Sequence, residues 1–309
     1  MFVTIAICTF NRAESLRRTL DSLVAMQVPN DVNLEIVIVN NNSTDHTDEI
    51  ISKYLDRLPV RRVSEPRTGL SNARNRAIEA AKGEYILWTD DDVVVGVGWL
   101  RAYVEAFECW PEAAVFGGRI MPRYQGPVVR WVAESETVLG GPFAIRDFGN
   151  DVQPLSVSEG RLPYGANFAI RAEEQRDFRY DPDLGPAPNR RRLAEETDVI
   201  TRLLATGATG YTVPDAVVEH CIGRERQTLR YIAEFYAALG ETDAVQSAAA
   251  TAAPPLCFGI PRRLWPRLVK RWLRYRLHRL VSPAPVWVVH LQEYYQARGT
   301  FRYWRRHRG

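Results

Sequence analysis

The chain contains few cysteines and no long apolar run, and these two shortages exclude several classes of protein. Its 309 residues include four cysteines, none in a C-x-x-C spacing. The sequence therefore has neither the density of a disulfide scaffold nor the spacing of a structural zinc site. No apolar stretch approaches the roughly 20 residues needed to cross a bilayer, and the first residues lack a basic leader. We expect a cytoplasmic protein, either soluble or peripheral on the inner face of the plasma membrane.

Acidic residues are nearly missing from the last part of the chain. Residues 261–309 hold 13 Arg or Lys and a single acidic residue, Glu293, although the net charge of the whole chain is only +3. The preceding residues are therefore net acidic. A strongly basic end on an acidic body predicts an anionic partner for that end.

The first 90 residues alternate strand and helix patterns. Apolar strand patterns occupy 2–10, 34–40, 60–65 and 84–89, and helical patterns occupy 11–27, 43–55 and 69–83. This alternation predicts an α/β fold with a mostly parallel sheet and helices on both faces. Ligands bind such sheets beyond the carboxyl ends of the strands. We therefore expect the segments that follow the strands to share one cleft: 8–12, 40–45, 65–69 and 90–93.

Three consecutive carboxylates, Asp90, Asp91 and Asp92, end the last of these strand patterns. Burying unpaired carboxylates is unfavourable, so a cation or water is expected beside them. Aspartate oxygens suit Mg²⁺ or Mn²⁺, which also bind phosphate. The alternative is a solvated acidic turn or a helix cap. The position directly after a buried strand favours the metal site.

Five segments together resemble family 2 glycosyltransferases. They occur in the family's order: IAICTFNR (5–12), VIVNNNSTDHT (37–47), GLSNARNRAIEAAKGEYILWTDDDV (69–93), GANFAIR (165–171) and AEETDVITRL (194–203). The resemblance covers about residues 2–240. It implies the Rossmann-like GT-A nucleotide-sugar fold and an inverting transfer.

The resemblance also implies which residues bind the nucleotide. Asn40 stands where the family usually has an aspartate that contacts the base, which leaves the identity of the nucleotide open. Asp90 and Asp92 match the family's D-x-D motif, and Asp91 matches a position that touches ribose or metal-bound water. The implied nucleotide-binding residues are Thr9, Asn11, Arg12, Asn40, Arg74, Asp90 and Asp91.

The implied metal ligands are Asp92, ranked first, Asp90 and His220. For His220 the alternative is a structural histidine with satisfied hydrogen bonds. The catalytic base implied by the family's acidic pair is Glu196, a Glu where Asp is usual, and its neighbour Glu195 is expected to be structural. Asn167 is expected either to contact a sugar or only to begin a strand.

The reaction that the resemblance implies is a direct displacement with Mn²⁺ or Mg²⁺. Glu196 would deprotonate an acceptor hydroxyl, which attacks the anomeric carbon of a UDP-, GDP- or dTDP-sugar. The implied acceptor is a glycan or a lipid-linked saccharide in surface polysaccharide assembly. The alternatives are a sugar nucleotidyltransferase, disfavoured because CTFNRAES lacks a Gly-rich phosphate loop, and a non-catalytic GT-A-like scaffold. A processive synthase would need membrane spans and a Q-x-x-R-W signature.

Composition predicts how the chain is divided. We expect a catalytic domain at 1–245, with a nucleotide-sugar half (1–120) and an acceptor half (121–245). A linker (246–260) and a basic helical extension (261–309) follow. In the extension, 261–280 interleaves Trp and Leu with Arg at helical spacing, which suits a helix on an anionic membrane. Packing on the domain and an oligomer contact are the alternatives, and nucleic-acid binding is disfavoured.

Overall fold

The computed structural model describes residues 1–188, 190–250, 256–258 and 260–306. Its contacts divide the chain into two compact units. The first, which we call the sheet unit, comprises Met1–Arg123, Ala144–Asn189 and Glu195–Cys221. The second, the helical unit, comprises Tyr124–Phe143, Arg190–Ala194 and Ile222–Gly309.

Twelve strands lie in the described part of the chain. Their bounds are β1 Phe2–Thr9, β2 Asn33–Asn40, β3 Val60–Ser64, β4 Tyr85–Asp90, β5 Val93–Val95, β6 Val115–Tyr124, β7 Asn167–Arg171, β8 Pro186–Ala187, β9 Arg190–Arg191, β10 Gly210–Ile222, β11 Leu256–Cys257 and β12 Ile260–Pro261.

Eleven α-helices and one short 3₁₀ helix, Glu136–Val138, accompany them. The α-helices are α1 Ala13–Ala25, α2 Thr47–Ser52, α3 Leu70–Ala80, α4 Trp99–Cys109, α5 Arg130–Glu134, α6 Gly140–Phe143, α7 Ala172–Asp177, α8 Glu195–Leu204, α9 Leu229–Ala250, α10 Leu264–Val281 and α11 Ala284–Arg306.

Eight of the strands form one mixed sheet in the order β3-β2-β1-β4-β7-β6-β10-β5. The four strands β3, β2, β1 and β4 are parallel, as expected when a helix separates each strand from the next. Strand β7 runs antiparallel to both β4 and β6. The short β5 pairs antiparallel with β10 at the far edge.

Alternating side chains of the central strands bury both faces of the sheet. Val3, Ile5 and Ile7 of β1 point into a core shared with α1 and α4. Ala6, the residue between two of these, points to the opposite core, which contains α3 and α8 side chains. This period of two explains why the strand patterns read as continuous apolar runs rather than alternating ones.

The predicted α/β fold class is confirmed, and all seven predicted elements of the first 90 residues are present. The strands agree with the prediction to within one residue at each end. The helices are shorter than predicted by two residues or more at one or both ends, because their patterns ran into the loops. Helix α9 extends to Ala250, so residues 246–250 of the predicted linker are helical; residues 251–255 and 259 lie outside the described residues.

Helices α9, α10 and α11 form the larger part of the helical unit. Helices α9 and α11 approach at backbone distance, since a Cβ at Gly299 would overlap the carbonyl oxygen of Ala237. A Cβ at Gly240 would likewise overlap the carbonyl oxygen of Gln296. The hydroxyl of Thr300 donates to the carbonyl of Gly240 at 2.9 Å across the same contact. Two glycines therefore set how closely these helices pack.

No helix in the described ranges is long and apolar enough to cross a membrane.

Candidate active site

The parallel register aligns the carboxyl ends of the strands at one edge of the sheet. Cys8 lies beside Asp90 in the pairing of β1 with β4. Thr9 lies beside Asn40, and Asn40 beside Ser64, in the next two pairings. Because these residues end their strands, the loops that follow begin side by side. This places the polar segments after β1, β2, β3 and β4 along one edge, as the sequence predicted.

The first loop reaches the aspartates through Arg12. Its Nη1 lies 2.8 Å from Oδ1 of Asp91 and 2.9 Å from Oδ2 of Asp92. Both carboxylates are buried, whereas the Arg12 side chain is 45% exposed. The neighbouring carboxylates raise the pKa of Arg12, with Asp91 the largest contributor. Arg12 therefore offsets part of the charge of the triplet and keeps an accessible cationic side chain beside it.

The last aspartate also faces a histidine. Nε2 of His220 lies 3.4 Å from Oδ1 of Asp92, and both side chains are buried. Strand β10 brings them together, because His220 pairs with Val93 of β5, one residue after Asp92. The backbone N–H of Cys221 donates to the carbonyl of Asp92 at 2.8 Å. Asp92 and His220, which are 128 positions apart in the sequence, thus place two potential metal ligands side by side.

A second cluster surrounds Arg74, whose side chain is only 3% exposed. Its guanidinium lies 3.2 Å from Glu195, 3.8 Å from Asp90 and 3.9 Å from Glu196. Three aromatic rings surround the guanidinium, with centroids 5.3–5.9 Å from its Cζ: Trp88, Phe168 and Tyr180. Cation–π contact and three carboxylates together hold this charge in the interior.

The two glutamates at the start of α8 occupy different environments. Glu195 is buried against Arg74, whereas the Glu196 side chain is 14% exposed. The N–H of Gly165 donates to Oε1 of Glu196 at 3.2 Å. Burial and the neighbouring Glu196 raise the pKa of Glu195, although Arg74 opposes the shift. Of the pair, Glu196 is the more accessible carboxylate and is held in place by the backbone.

Negative charge predominates at this edge of the sheet. Five carboxylates, including those of Glu195 and Glu196, face two guanidinium groups. Burial, followed by the repulsion of Asp92 and Asp91, raises the pKa of Asp90 to about 6. Burial is also the largest of the causes that raise the pKa of Asp91. A divalent cation would relieve this repulsion.

Protein side chains alone would provide only part of the coordination shell of such an ion. In the described part of the chain, no group of three or more His, Cys, Asp or Glu side chains is arranged to hold a metal. Asp92 and His220 supply two donors, and Asp90, two residues before Asp92, is the other carboxylate of the D-x-D spacing. Mg²⁺ and Mn²⁺ commonly complete their coordination with water and phosphate oxygens. The residues therefore fit an ion that is shared with a phosphate ligand.

Two predicted nucleotide contacts make hydrogen bonds within the loops. Asn40 uses both ends of its amide: Nδ2 donates to Asp48 at 2.9 Å, and Oδ1 accepts from the N–H of Ser43 at 2.9 Å. Oδ1 of Asn11 accepts from the N–H of Thr44 at 2.7 Å. The Asn11 bond ties the first two loops together, and the Asn40 bonds hold the second loop against the start of α2. The sequence alone did not indicate this positioning of the loops.

Asn167 is fully buried in the sheet unit and has four hydrogen bonds. Its Oδ1 accepts from Trp99 Nε1 at 2.7 Å and from the hydroxyl of Tyr103 at 2.9 Å. Its Nδ2 donates to the carbonyls of Arg119 and Ala216 at 2.8 and 2.7 Å. All its donors and acceptors are used, so of the two roles expected for Asn167 the structural one fits.

A residue that sequence reasoning missed is Gly165. A Cβ at this position would lie 2.5 Å from Nη2 of Arg74. Glycine is therefore needed for the backbone to pass close to the guanidinium and to present its N–H to Glu196. The segment GANFAIR (165–171) is part of the family resemblance, but nothing in the sequence indicates that its glycine lies against Arg74.

Sequence comparison shows which known proteins the chain is similar to. The family model described as Glycosyl transferase family 2 matches residues 4–159, half of the chain. The succinoglycan biosynthesis protein ExoM of Rhizobium meliloti is 26% identical over 246 residues, which cover 78% of this chain and 74% of that protein. The glucosyl-dolichyl phosphate glucuronosyltransferase of Haloferax volcanii is 25% identical over 207 residues. That match covers 66% of this chain and 63% of that enzyme, so it spans less than two thirds of it.

Solved structures show the same fold at low identity. The mannosyltransferase PcManGT from Pyrobaculum calidifontis, in complex with GDP-Man and Mn²⁺, has a TM-score of 0.58 at 20% identity, covering 96% of this chain and 85% of that one. S. aureus TarS 1–349 in complex with UDP has a TM-score of 0.56 at 15% identity, covering 99% and 89%. The GT-A fold implied by the five motifs is confirmed. With the family model spanning the Arg12, Arg74 and Asp90–Asp92 positions, the chain belongs to glycosyl transferase family 2, within the glycosyltransferase class EC 2.4.

Proposed function

We propose that the chain transfers a sugar, with inversion, from a nucleotide-diphosphate sugar to an acceptor hydroxyl, and that the reaction depends on Mn²⁺ or Mg²⁺. The observation that carries this proposal is the convergence of two charged clusters at one sheet edge. One contains Arg12, Asp91, Asp92 and His220, and the other contains Arg74 and Glu196. A cationic and metal-binding cluster beside an accessible carboxylate suits a phosphate leaving group and a base.

The residues have distinct roles in the proposed reaction. The carboxylate of Glu196 accepts the proton of the acceptor hydroxyl as that oxygen attacks the anomeric carbon. The bond between the anomeric carbon and the phosphate oxygen breaks, and its electron pair leaves with the nucleoside diphosphate. One displacement inverts the anomeric centre, so no covalent enzyme intermediate forms.

The leaving diphosphate needs cationic partners. Arg12 presents an accessible guanidinium, which can donate to phosphate oxygens. Asp92, Asp90 and His220 would hold the divalent ion, which supplies positive charge to the phosphate oxygens when bound. Arg74 is enclosed, so we assign it to positioning the two glutamates rather than to direct contact with phosphate. Thr9, Asn11, Asn40 and Asp91 are proposed to line the nucleoside site.

Two relatives support a surface-glycan role. The relative from Rhizobium meliloti is named as a succinoglycan biosynthesis protein, and the one from Haloferax volcanii as a glucosyl-dolichyl phosphate glucuronosyltransferase. We therefore propose a saccharide or lipid-linked saccharide as the acceptor. The identity of the donor nucleotide (UDP, GDP or dTDP) stays open, because Asn40 stands where the family usually has an aspartate that contacts the base.

Metal-dependent donor turnover tests this proposal. Nucleoside diphosphate release should be measured from a panel of UDP-, GDP- and dTDP-sugars, with Mn²⁺ and with EDTA. We expect release with at least one donor, lost in EDTA and lowered at least about 100-fold by Asp92→Ala, because both the ion and the diphosphate lose a partner. Mn²⁺ should also raise the thermal midpoint of the wild type and not that of Asp92→Ala.

A matched control tests whether the loss of release is specific to the site or follows from removing any carboxylate. Asp31→Ala removes a carboxylate from an exposed loop of the same unit and should leave release and the Mn²⁺ shift unchanged. If the wild type released no diphosphate from any donor and Mn²⁺ left its midpoint unchanged, the chain would be a non-catalytic GT-A-like scaffold instead.

Helix α10 carries an exposed apolar stripe, for which we propose contact with an anionic membrane surface. The exposed apolar residues recur at one-turn spacing along the helix: Trp265, Val269, Trp272, Leu273, Leu277, Leu280 and Val281. Exposed arginines such as Arg267, Arg274 and Arg276 accompany them. Apolar side chains beside arginines suit the boundary between anionic headgroups and acyl chains.

Vesicle binding tests the membrane contact. Trp272→Ser/Leu273→Ser should weaken binding of the full chain to phosphatidylglycerol vesicles at least about tenfold, because two apolar anchors are lost. Val28→Ser/Val97→Ser alters two exposed apolar residues of the sheet unit and should change nothing. Equal binding by both double variants, in a co-sedimentation assay at 0.1 M salt, would contradict the contact through α10.

A further inference from the structure

The helical unit contains a pocket that the glycosyl-transfer reaction does not account for. Helices α9, α10 and α11 line an open cavity of about 390 Å³. Four arginines line it: Arg230 of α9, Arg279 of α10, and Arg298 and Arg302 of α11. Tyr275, Tyr295 and Glu234 are the other polar residues of the lining. The pocket is therefore cationic and partly aromatic.

Carboxylates compensate little of this charge. Glu234 is the one acidic residue among the described residues that line the pocket, and its Oε1 lies 2.8 Å from Nε of Arg230. Among the residues that the structure describes, no carboxylate lies within 4 Å of the guanidinium groups of Arg279, Arg298 or Arg302. Three guanidinium groups therefore line one concave surface without a counter-ion at contact distance from the described part of the chain.

The arrangement is electrostatically unfavourable in the free protein. Partial burial and the neighbouring Arg298 lower the pKa of Arg302, although Glu241 opposes the shift. Like charges held together in a partly desolvated pocket destabilise the folded state unless an anion compensates them. An anion that binds there would gain the interaction that the protein itself does not provide.

The side chains around the guanidinium groups hold two of them in place. Nη1 of Arg279 donates to the hydroxyl of Tyr275 at 2.7 Å, and Tyr275 is buried. The guanidinium of Arg298 lies over the ring of Tyr295, 5.5 Å from its centroid. Such contacts reduce the side-chain entropy that is lost when a guanidinium binds an anion.

The backbone fixes the wall that carries Arg298 and Arg302. Gly299, next to Arg298, is in backbone contact with Ala237 of α9, which itself lines the pocket. The two helices cannot move closer, and the hydrogen bond from Thr300 to Gly240 resists their separation. The spacing of the pocket is therefore a property of the helix packing and not of flexible side chains alone.

We propose that this pocket is a binding site for a phosphate-bearing anion. Planar guanidinium groups pair with the oxygens of a tetrahedral phosphate through parallel N–H bonds, and several arginines can share one phosphate or diphosphate group. The volume exceeds that of a single phosphate, so it can also hold the group to which the phosphate is attached. The source is either a soluble phosphate compound or a lipid headgroup. The proposal does not depend on the glycosyl-transfer reaction.

Binding of inorganic pyrophosphate to the full chain tests the soluble source. Calorimetric titration is done in EDTA, so that no divalent ion recruits pyrophosphate to the aspartates. We expect wild-type binding, weakened at least about tenfold in Arg298→Gln/Arg302→Gln. Arg267→Gln/Arg276→Gln removes the same charge from exposed positions outside the pocket and should bind as the wild type does.

Thermal unfolding is a second measurement on the same proteins. Arg298→Gln/Arg302→Gln should unfold at the wild-type temperature or above it without ligand, because a repulsive contact is removed. Pyrophosphate should then raise the midpoint of the wild type and of the control, and not that of the pocket variant.

Vesicles test the lipid source. Binding to phosphatidylglycerol vesicles that falls further in Arg298→Gln/Arg302→Gln than in Arg57→Gln/Arg101→Gln, which changes two exposed arginines of the sheet unit, would assign the pocket to a headgroup, even if pyrophosphate does not bind. If pyrophosphate shows no pocket-dependent binding and both double variants bind the vesicles equally, the proposal is wrong.

Discussion

Replacing Glu196 with glutamine is expected to lower kcat about 10²–10⁴-fold, the range typical for loss of a general base. Glutamine has nearly the same shape and can still accept the N–H of Gly165, which lies 3.2 Å from Oε1 of Glu196. The substitution removes the negative charge, and with it the ability to take up a proton, while the shape of the side chain is kept. Donor affinity should therefore change little, and the loss should appear in kcat measured by nucleoside diphosphate release at saturating donor and acceptor.

Two further variants make this result specific. Asp198→Asn lies on the same helix, removes the same charge and affects only the pair with Arg202, 2.9 Å away, so its kcat should stay within about twofold of the wild type. Glu195→Gln changes the buried neighbour. If Glu195→Gln abolished turnover while Glu196→Gln retained it, the base would be Glu195 and the proposed assignment would be wrong.

The first half of the site could be predicted because local patterns determine it. Apolar strands of five to eight residues, each followed by a helix, specify a parallel sheet, and a parallel sheet brings the ends of its strands to one edge. Asp90, Asp91 and Asp92 were therefore placed beside the loop of Arg12 from sequence alone. The contact of Arg12 with two of these carboxylates was not predicted, because it depends on a side-chain direction that no periodicity encodes.

Contacts between distant segments were predicted less well. Arg74 was expected to face the nucleotide, yet the structure encloses it with residues that lie about 100 positions further along the chain, including Phe168, Tyr180 and Glu195. A helix pattern marks the positions that face the core, but it does not indicate which charged partner meets a buried arginine. Glu195 was expected to be structural, and its contact with Arg74 gives that expectation a physical basis.

In the C-terminal region, too, the local helix pattern was predictable and the contacts between distant segments were not. The amphipathic pattern of 261–280 predicted a helix, and α10 spans Leu264–Val281. The pocket could not be predicted, because it requires arginines from three helices to face one another. The glycine contacts between α9 and α11 set the spacing of two of these helices, and Gly240 and Gly299 are separated by 59 positions.

Replacing Arg74 with methionine is expected to destabilise the sheet unit by about 3–5 kcal/mol, the range for removing one partner of a buried ion pair. Methionine fills much of the same volume and keeps contact with the aromatic rings. It leaves Glu195, whose side chain is 5% exposed, without the guanidinium 3.2 Å away. The uncompensated carboxylate, rather than a cavity, should account for the loss. Urea denaturation at pH 9, above the raised pKa of Glu195 (about 8), measures the change in the free energy of unfolding with this carboxylate ionised.

A double-mutant cycle identifies the source of that loss. In Arg74→Met/Glu195→Gln the buried negative charge is gone, so most of the stability lost in Arg74→Met should return, which gives a coupling energy of about 2 kcal/mol or more. Glu195→Gln alone should be mild, because Arg74 keeps Asp90 at 3.8 Å and Glu196 at 3.9 Å. Equal destabilisation by Arg74→Met with and without Glu195 would mean that the aromatic packing, and not the ion pair, holds Arg74 in place.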